Sequence, residues 1–299
     1  MTWSSPSFDL PAVANRVGPF PRRSWLQTWW EHRGRGELVI ADAPGSLLCL
    51  TLVDGVVEFA GEGDLTDYHS PLGNTDATAL TELVADLEPG TKLNLDSLPR
   101  AAADAVITAL AAASLETHVA QHEVAAVLDL PNSFDEYLAS IGKKERHELR
   151  RKRRRFENEM GPARVERRHG PEAVALFAHL HRLSAGDKGE FMTEDLERFF
   201  LALHTDAGGI IDVLVDGEGR PASAIFSFED EHGFYLYNSA YEPELRALSP
   251  GNVMLSHLIE RAINRGLPVF DFLKGDETYK FRLGAQERPL YRVTAMVGT

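Results

Sequence analysis

The sequence predicts an α/β protein of two tandem domains, each with a mixed central β-sheet flanked by helices. At 299 residues, with 43% hydrophobic and 25% charged residues, the chain is long enough to bury the cores of two domains of ordinary size. The same order of apolar segments begins at Glu37 and again at Ile210: three strands, a helix, a strand, a helix and a strand. Such a duplication predicts two similar units.

The first repeat is predicted from β-branched and aromatic runs that end at Gly, Pro or Asp-Gly, and from apolar spacing near 3.6. Its segments are, in order, ELVIADA, SLLCLTLVDG, VVEFAGEGDLTDYHSPLG, a helix over residues 76–87, TKLNLDSLP, a helix over residues 100–113 and LETHVAQHEVAAVLDL. Before it, SWLQTWWEH holds three of the four tryptophans and predicts an amphipathic helix that packs its aromatic side onto the first sheet.

The second repeat follows the same criteria. Its segments are IIDVLVDG, RPASAIFSFED, GFYLYNSAYEPEL, a helix over residues 251–264, LPVFDFLKG, the short DETYKFRLG and LYRVTAMV. The helical segments EAVALFAHLHRL and TEDLERFFLALH precede it. Between them, SAGDKGEF has two glycines and three charges and is expected to be a mobile lid.

The boundary between domains 1–131 and 132–299 is predicted where a new helix begins. Ser133 and Glu136 have the spacing of a capping box, and the helix is expected to end at Met160, before Gly161 and Pro162. A narrow apolar stripe is formed by Leu138, Ile141, Leu149, Phe156 and Met160.

The same predicted helix carries the strongest charge cluster of the chain. Between Lys143 and Arg155 there are nine Lys or Arg against two Glu, whereas the whole chain has a formal net charge of −14. A solvated helix face is the simplest interpretation, and a surface for an anionic ligand or acidic partner is the second. DNA binding is disfavoured, because the acidic remainder would repel a phosphate backbone.

The composition also indicates in which cellular compartment the protein is expected and whether it forms disulfides. The N-terminus MTWSSPSFDL lacks a basic head followed by an apolar run, and no segment approaches the roughly 18 apolar residues of a membrane span. The single cysteine, Cys49, lies in an apolar run and excludes a disulfide framework within the chain. We expect a cytoplasmic protein without a membrane span, in which Cys49 packs in a core.

The segment Ser249-Pro250-Gly251 marks the start of a helix in the second repeat. Serine is a common N-cap and proline is favoured at the first helical position. We expect the amides of Gly251, Asn252 and Val253 to point outward as an anion site, for which a pyrophosphate has the right chemistry. An ordinary capped helix is the alternative interpretation.

These segments carry a family resemblance. TDYHSPLG, SPGNVML, FDFLKGDETYKFRLGA and KKERHELRRKRRRFE resemble the GNAT acyltransferase superfamily. The resemblance is to its double-domain branch, which includes acetyltransferase-like proteins associated with bacterial cellulose and exopolysaccharide synthesis and the Fem-type aminoacyltransferases of peptidoglycan bridges. It implies direct transfer of an acyl group from a thioester to an amine or hydroxyl. The pantetheine arm would lie between two splayed strands, GFYLYNSAY and PVFDFL.

The resemblance implies acetyl-CoA or another acyl-CoA as co-substrate. The residues expected to bind it are Tyr237, Asn238, Ser239, Arg246, Ser249, Gly251, Asn252 and Val253. The chain departs from the pyrophosphate motif of the superfamily, because four residues separate Arg246 from Gly251 and Val253 replaces the second small residue.

The turn after LPVFDFL supplies candidate catalytic groups. We expect Asp271 to be the base, with a pKa raised by desolvation between two phenylalanines, and Tyr279 to protonate the leaving thiolate. Lys274 and Lys280 are expected to stabilise the oxyanion or hold a phosphate, and the Fem-type resemblance matches Lys280 to a lysine that contacts the acyl donor. A salt-bridged turn is the alternative.

Acceptor recognition is assigned to less regular segments. The candidate substrate-binding residues are Asp67, Tyr68, His69, Asp187, Lys188, Asp276 and Arg282. His69 has an alternative role as a turn cap. The first repeat lacks a Ser-Pro-Gly helix start, so we expect a degenerate copy that shapes the acceptor groove. His179 and His181, two apart on a helix, face different directions and predict no metal site.

The sequence thus predicts an N- or O-acyltransferase that moves an acyl group from acyl-CoA to a small-molecule or saccharide acceptor. Two alternatives remain: a Fem-type aminoacyltransferase that uses charged tRNA, and a catalytically inactive scaffold of the same fold. Neither DNA nor a metal ion is expected as a partner.

Overall fold

The computed structural model describes residues 3–298, which form two compact units. The first unit contains the described residues up to Ala125 and those from Glu287 onward, and the second unit is Ala126–Gln286. The predicted mixed α/β class is confirmed.

The first repeat folds in the predicted order, with one additional strand of two residues at positions 72–73. Its elements are α1 (Arg23–Arg33), β1 (Glu37–Ala43), β2 (Ser46–Val53), β3 (Val56–Phe59), β4 (Leu72–Gly73), α2 (Thr78–Asp86), β5 (Lys92–Pro99), α3 (Arg100–Ala112) and β6 (Thr117–Asp129). A 3₁₀ helix, Pro6–Asp9, precedes them.

The second repeat also keeps its predicted order, after additional helices and one additional strand. Its elements are α4 (Phe134–Ser140), α5 (Lys143–Met160), β7 (Arg164–Arg168), α6 (Pro171–Arg182), α7 (Asp187–Phe191), α8 (Glu194–Asp206), β8 (Ile210–Val215), β9 (Pro221–Asp230), β10 (Gly233–Tyr241), α9 (Pro250–Asn264), β11 (Val269–Lys274), α10 (Thr278–Arg282) and β12 (Gln286–Met296). A 3₁₀ helix, Pro243–Leu248, joins β10 to α9. None of the described helices is both long enough and apolar enough to cross a membrane.

The sheet of the first unit has the strand order β1-β2-β3-β5-β12, in which β3 and β5 run parallel and the other pairs are antiparallel. The aromatic side of α1 is buried as predicted, through Trp25 and Trp29. Leu26 lines a small cavity together with Leu47 and Cys49 of β2. Cys49 is buried, and this burial raises the pKa of its thiol to about 12, so it acts as a packing residue.

The last strand of each repeat contributes to the other unit. Strand β12 pairs with β5, where Leu290 lies opposite Pro99 and Tyr291 opposite Leu98. At the end of β6, Ala126 and Leu128 lie in the core of the second unit. The segment from Glu287 onward, predicted to be part of domain 132–299, belongs instead to the first unit, because β5 offers it an antiparallel partner.

The second unit has the strand order β11-β10-β9-β8-β7, with β10 and β11 parallel and the other pairs antiparallel. Its core fills the space between this sheet and helices α4, α5 and α9. Leu149 and Phe156 of α5 are buried there, which confirms the apolar stripe predicted along this segment.

The single helix predicted over residues 133–160 is two helices. The capping box is present, since Ser133 Oγ accepts the amide of Glu136, and Glu136 Oε2 accepts the amide of Asn132. The backbone then becomes extended at Ile141 and Gly142 before α5 begins. Ile141 is itself buried, and the break lets both helices turn their apolar sides into one core.

Two further predicted features differ in detail. The segment 184–191 contains the short helix α7, and the side chains of Asp187 and Lys188 lie outside the part of the chain that the structure describes. The predicted stop of α5 at Gly161 is confirmed. This glycine has φ of 76°, and a Cβ there would meet Gly217 Cα at 3.0 Å.

Candidate active site

Strands β10 and β11 pair at one end and then separate. Phe234 lies opposite Phe270 and Tyr235 opposite Asp271, and the two phenylalanine rings stack with centroids 4.7 Å apart. Beyond this point β10 continues to Tyr241 paired with β9, whereas no later residue of β11 pairs with it within residues 3–298. The splayed strands implied by the family resemblance are therefore present, and we call the space between them the slot.

A β-bulge lies where the strands separate. The register of β10 against β9 shifts between Leu236 and Asn238, so Tyr237 is the additional residue. A strand edge without a partner presents backbone N–H and C=O groups for hydrogen bonding. The edge of β10 that faces the slot is thus able to bind an extended ligand through its backbone.

The N-terminus of α9 lies beside the far end of β10. A Cβ placed on Gly251 would lie 3.9 Å from Tyr241 Cδ1 and would meet nothing closer. The helix begins with Pro250 after Ser249, as predicted, but Ser249 has a left-handed backbone and its side chain caps no amide.

The three amides expected to form an anion site are not equivalent. Those of Asn252 and Val253 donate to the carbonyl of Ser249, at 3.0 and 3.2 Å, and only that of Gly251 lacks such an acceptor among the described residues. The expectation of three outward amides is thus wrong for two of them, because the turn at Ser249 brings its carbonyl back onto the helix. The side chain of Val253 is buried in the core.

The remaining donor-site candidates differ in exposure. Arg246 is exposed on the 3₁₀ helix that precedes α9. Tyr237 is half-buried and packs against the rings of Phe200, Phe226 and Phe228. Asn238 Oδ1 accepts the amide of Ser239 at 2.8 Å and lies 3.1 Å from His181 Nε2.

Lys280 is buried in the turn after β11. Its side chain is only 3% exposed, and Nζ donates to the carbonyls of Leu273, Lys274 and Gly275 at 3.4, 2.5 and 3.3 Å. Its ammonium also pairs with Glu277 at 2.9 Å. The salt-bridged turn that the sequence left as an alternative is thus present at this residue.

Asp271 and Tyr279 flank the same turn. Asp271 is fully buried, and its Oδ1 accepts the amide of Leu273 at 2.8 Å. Tyr279 is half-buried with its ring edge-on to Phe272. Burial, and secondly the charge of Glu277, raise the pKa of Tyr279, so that its hydroxyl keeps its proton at neutral pH.

The other charged candidates of this region lie nearer the surface. Lys274 is half-buried, whereas Asp276 and Arg282 are exposed. Arg282 lies close enough to α5 to act on Lys152, whose pKa is lowered mainly by burial and to a smaller degree by the positive charges of Arg151 and Arg282.

The acceptor candidates of the first repeat are covered by their own unit. Tyr68 is fully buried with the guanidinium of Arg288 4.8 Å above its ring. His69 is buried against Phe59, and its Nδ1 lies 2.9 Å from the carbonyl of Asp96 and 3.2 Å from Oδ1 of the same residue. This geometry fits the turn-capping alternative for His69. Asp67 is half-buried next to them.

His181 lies beside the candidate site, although its spacing from His179 predicts only that the two form no metal pair. It lies on α6, is 1% exposed and contacts Asn238 beside the slot. The available signal was its place in the apolar stripe of α6, one turn after Phe177 and Ala178. Among residues 3–298, no group of three or more His, Cys, Asp or Glu side chains is placed to hold a metal ion.

The basic residues of helix α5 fall into two sets, one that forms ion pairs within residues 3–298 and one that does not. Arg151, Arg153 and Arg155 pair with Glu148, Glu260 and Glu159. A second set forms an exposed stripe at helical spacing, for which the structure gives no ion-pair partner among the described residues. This α5 stripe consists of Lys143, His147, Arg150 and Arg154.

Comparison with known proteins gives a family match for the segment that contains the slot. The description "Acetyltransferase (GNAT) domain" matches residues 143–281, the stretch from the start of α5 to α10. Residues 143–281 are thus similar to GNAT domains. The GNAT resemblance is thereby confirmed, and the slot lies within the matched segment. No curated protein matches the chain.

Solved structures of the same fold extend over both units. L-PGS from Bacillus licheniformis is 14% identical with a TM-score of 0.61, over 95% of this chain and 94% of that one. FemX is 13% identical with a TM-score of 0.62, over 96% and 93%. A conserved protein of unknown function from Bacteroides thetaiotaomicron VPI-5482 is 11% identical with a TM-score of 0.64, over 99% and 98%. The GNAT domain thus lies in a double-domain fold that these proteins share.

Proposed function

We propose that the protein is an acyltransferase that moves an acetyl or other acyl group from acyl-CoA to an amine or hydroxyl of a small-molecule or saccharide acceptor. The observation that carries the proposal is the separation of β10 from β11 after two paired residues, beside the N-terminus of α9. A pantetheine arm placed in the slot would hydrogen-bond to the free edge of β10. The diphosphate of CoA would then lie at the start of α9.

Gly251 supports this placement of the diphosphate. Its φ is not in the left-handed region, and a Cβ would meet no atom closer than 3.9 Å, so the fold itself does not require a glycine here. Its amide is also the one of the three that lacks an intramolecular acceptor among the described residues. Close approach of a ligand explains both features, and exposed Arg246 would supply a positive charge nearby.

The chemistry we assign to the slot is direct transfer. The acceptor nitrogen or oxygen attacks the thioester carbonyl carbon and loses its proton to a base, for which Asp271 is our candidate. The bond between carbon and sulfur then breaks, and Tyr279, which keeps its proton at neutral pH, protonates the leaving thiolate. Asp271, once protonated, returns its proton to solvent, and Tyr279 regains one.

Calorimetric titration with acetyl-CoA and longer acyl-CoAs tests the donor. We expect Gly251→Leu to lower acyl-CoA affinity at least about tenfold through steric exclusion of the diphosphate, with unchanged thermal stability, because the local backbone tolerates a side chain. The control is Gly63→Leu, another glycine with open surroundings and no positive φ, in the first unit. Absence of binding by the unmodified protein to every acyl-CoA rejects the donor assignment.

A second candidate function, aminoacyl transfer from charged tRNA, is favoured by the α5 stripe. Its four residues project from one side of α5, and no acidic side chain of the described chain pairs with them. A phosphate backbone is a suitable partner for such a stripe, and its binding weakens steeply with salt. The Fem-type resemblance of the sequence points the same way.

Filter binding with deacylated tRNA separates the two donors. Under the tRNA hypothesis, Arg150→Ser with Arg154→Ser weakens tRNA binding and reduces its salt dependence, whereas Arg151→Ser, which removes a charge already paired with Glu148, has a smaller effect. Salt-insensitive or absent tRNA binding rejects this candidate. A protein that binds neither donor fits the inactive-scaffold hypothesis.

A further inference from the structure

The side-chain amide of Asn238 is held in one orientation by two hydrogen bonds. Its Oδ1 accepts the backbone amide of Ser239 at 2.8 Å, and a backbone N–H is always a donor. The same oxygen lies 3.1 Å from His181 Nε2. Because Oδ1 only accepts, His181 carries its hydrogen on Nε2, and the NH₂ group of Asn238 points away from both partners.

His181 is itself immobilised. It is 1% exposed on a helix, α6, that packs against β10, and its ring contacts those of Phe177 and Phe191 at centroid distances of 5.9 and 5.7 Å. A buried imidazole with two aromatic neighbours has little rotational freedom. The hydrogen bond from Nε2 therefore transmits the rigidity of α6 to the amide of Asn238.

The orientation of Asn238 matters because of its position along β10. It is the first residue after the bulge of β10, where β10 has already left β11. Asn238 is half-buried, and the structure assigns no hydrogen-bond acceptor to its NH₂ group within residues 3–298. A donor that is held in one orientation and has no acceptor among the described residues thus lies on the part of β10 that borders the slot.

We propose that Asn238 Nδ2 donates a hydrogen bond to the carbonyl oxygen of the bound acyl thioester, and that His181 is the positioning residue that orients this donor. The inference rests on the proposed acyl transfer and adds an electrophilic group to it. During attack by the acceptor, the carbonyl oxygen gains negative charge until the carbon–sulfur bond breaks. A preoriented donor stabilises that oxygen more strongly than it stabilises the ground-state carbonyl.

Kinetics of matched variants test the assignment. Asn238→Ala is expected to lower kcat by about 10² to 10³, the usual effect of removing one side-chain donor to an oxyanion, with KM for acyl-CoA nearly unchanged. His181→Phe keeps the aromatic packing but removes the Nε2 donor and should lower kcat by about tenfold or more, since the amide is no longer held. His181→Gln keeps a donor and should restore much of the rate.

Two comparisons between variants distinguish a positioning role of His181 from a packing role. The double variant His181→Phe with Asn238→Ala should be no slower than Asn238→Ala alone, because both changes remove one interaction. His179→Phe, an exposed change on the same helix, should retain the normal rate. Multiplicative losses in the double variant, or equal losses for Phe and Gln at position 181, overturn the positioning role.

Nitrogen NMR provides a readout that does not depend on turnover. The structure requires the Nε2–H tautomer of His181 in the free protein, and an Nδ1–H tautomer overturns the inference directly. Addition of S-acetonyl-CoA, which presents a carbonyl but no thioester to cleave, should shift the Asn238 side-chain NH₂ signal. If the analogue shifts backbone signals of β10 but leaves that NH₂ signal in place, acyl-CoA binding stands and the inference fails. If it shifts no signal of the protein, the proposed donor fails together with it.

Discussion

Replacing Lys280 with methionine distinguishes a structural from a catalytic lysine. The buried ammonium of Lys280 connects three consecutive carbonyls, those of Leu273, Lys274 and Gly275, with the carboxylate of Glu277. A hydrogen bond to a charged group stabilises the fold by roughly 1.5–3 kcal/mol. The bond to Lys274 is short, the other two carbonyl contacts are long, and the Glu277 side chain is 56% exposed, so its ion pair adds little. We therefore expect Lys280→Met to lower the free energy of unfolding by about 3 kcal/mol.

Urea denaturation followed by circular dichroism measures this loss, and calorimetric titration with acetyl-CoA is carried out on the same preparation. Arg282→Met is the matched control, since it removes an exposed charge from the same short helix and should change stability by less than about 0.5 kcal/mol. If Lys280→Met costs under about 1 kcal/mol while affinity for acetyl-CoA falls a hundredfold or more, the structural explanation is refuted and the contact with the acyl donor implied by the resemblance is restored.

Three other changes report on the GNAT domain. Burial, and secondly the charge of Arg153, lower the pKa of His257 from 6.5 to about 4. Between pH 6.5 and pH 4 the imidazole is therefore protonated in the unfolded chain but not in the folded one. The free energy of unfolding consequently falls as the pH drops from 6.5 to 4. His257→Gln, which keeps an acceptor for Arg153, should flatten that decline by about 2 kcal/mol after allowance for solvent screening, and an unchanged pH profile of urea denaturation would contradict this cause. Phe270→Ala removes the ring stacked on Phe234 and should cost about 3–5 kcal/mol by the same assay, whereas a loss below 1 kcal/mol would mean that the ring pair does not hold the closed end of the slot. Ser133→Ala should cost about 1 kcal/mol through loss of the N-cap of α4, and no measurable loss would show that water satisfies the backbone amide of Glu136.

Features that depend on neighbours in sequence were predicted well. Helix α9 was expected over residues 251–264 and spans Pro250–Asn264, because a proline start and an apolar period are local signals. The capping box at Ser133 was found for the same reason. The break at Ile141 was not predicted, because it depends on how two helices share one core.

Roles within the candidate site were harder to predict, because they depend on which atoms a side chain meets. The sequence placed Lys280 among charged residues near a strand end, but not its contacts with three carbonyls of its own turn. It also placed Asn238 in the donor site without its partner. His181 is 57 residues away along the chain, and only the packing of α6 against β10 brings the two together.

The amino-acid sequence by itself determined the two repeats, the order of their strands and helices, and the GNAT character of the second repeat. Periodicity, turn residues and helix caps act over a few residues, so the elements that they define can be recognised in the sequence without a structure. Only the tertiary structure decided that β12 pairs with β5 and that β10 leaves β11 after Tyr235. The sequence of an apolar strand does not indicate which strand it pairs with, because the backbone hydrogen bonds that join two strands are the same for every sequence.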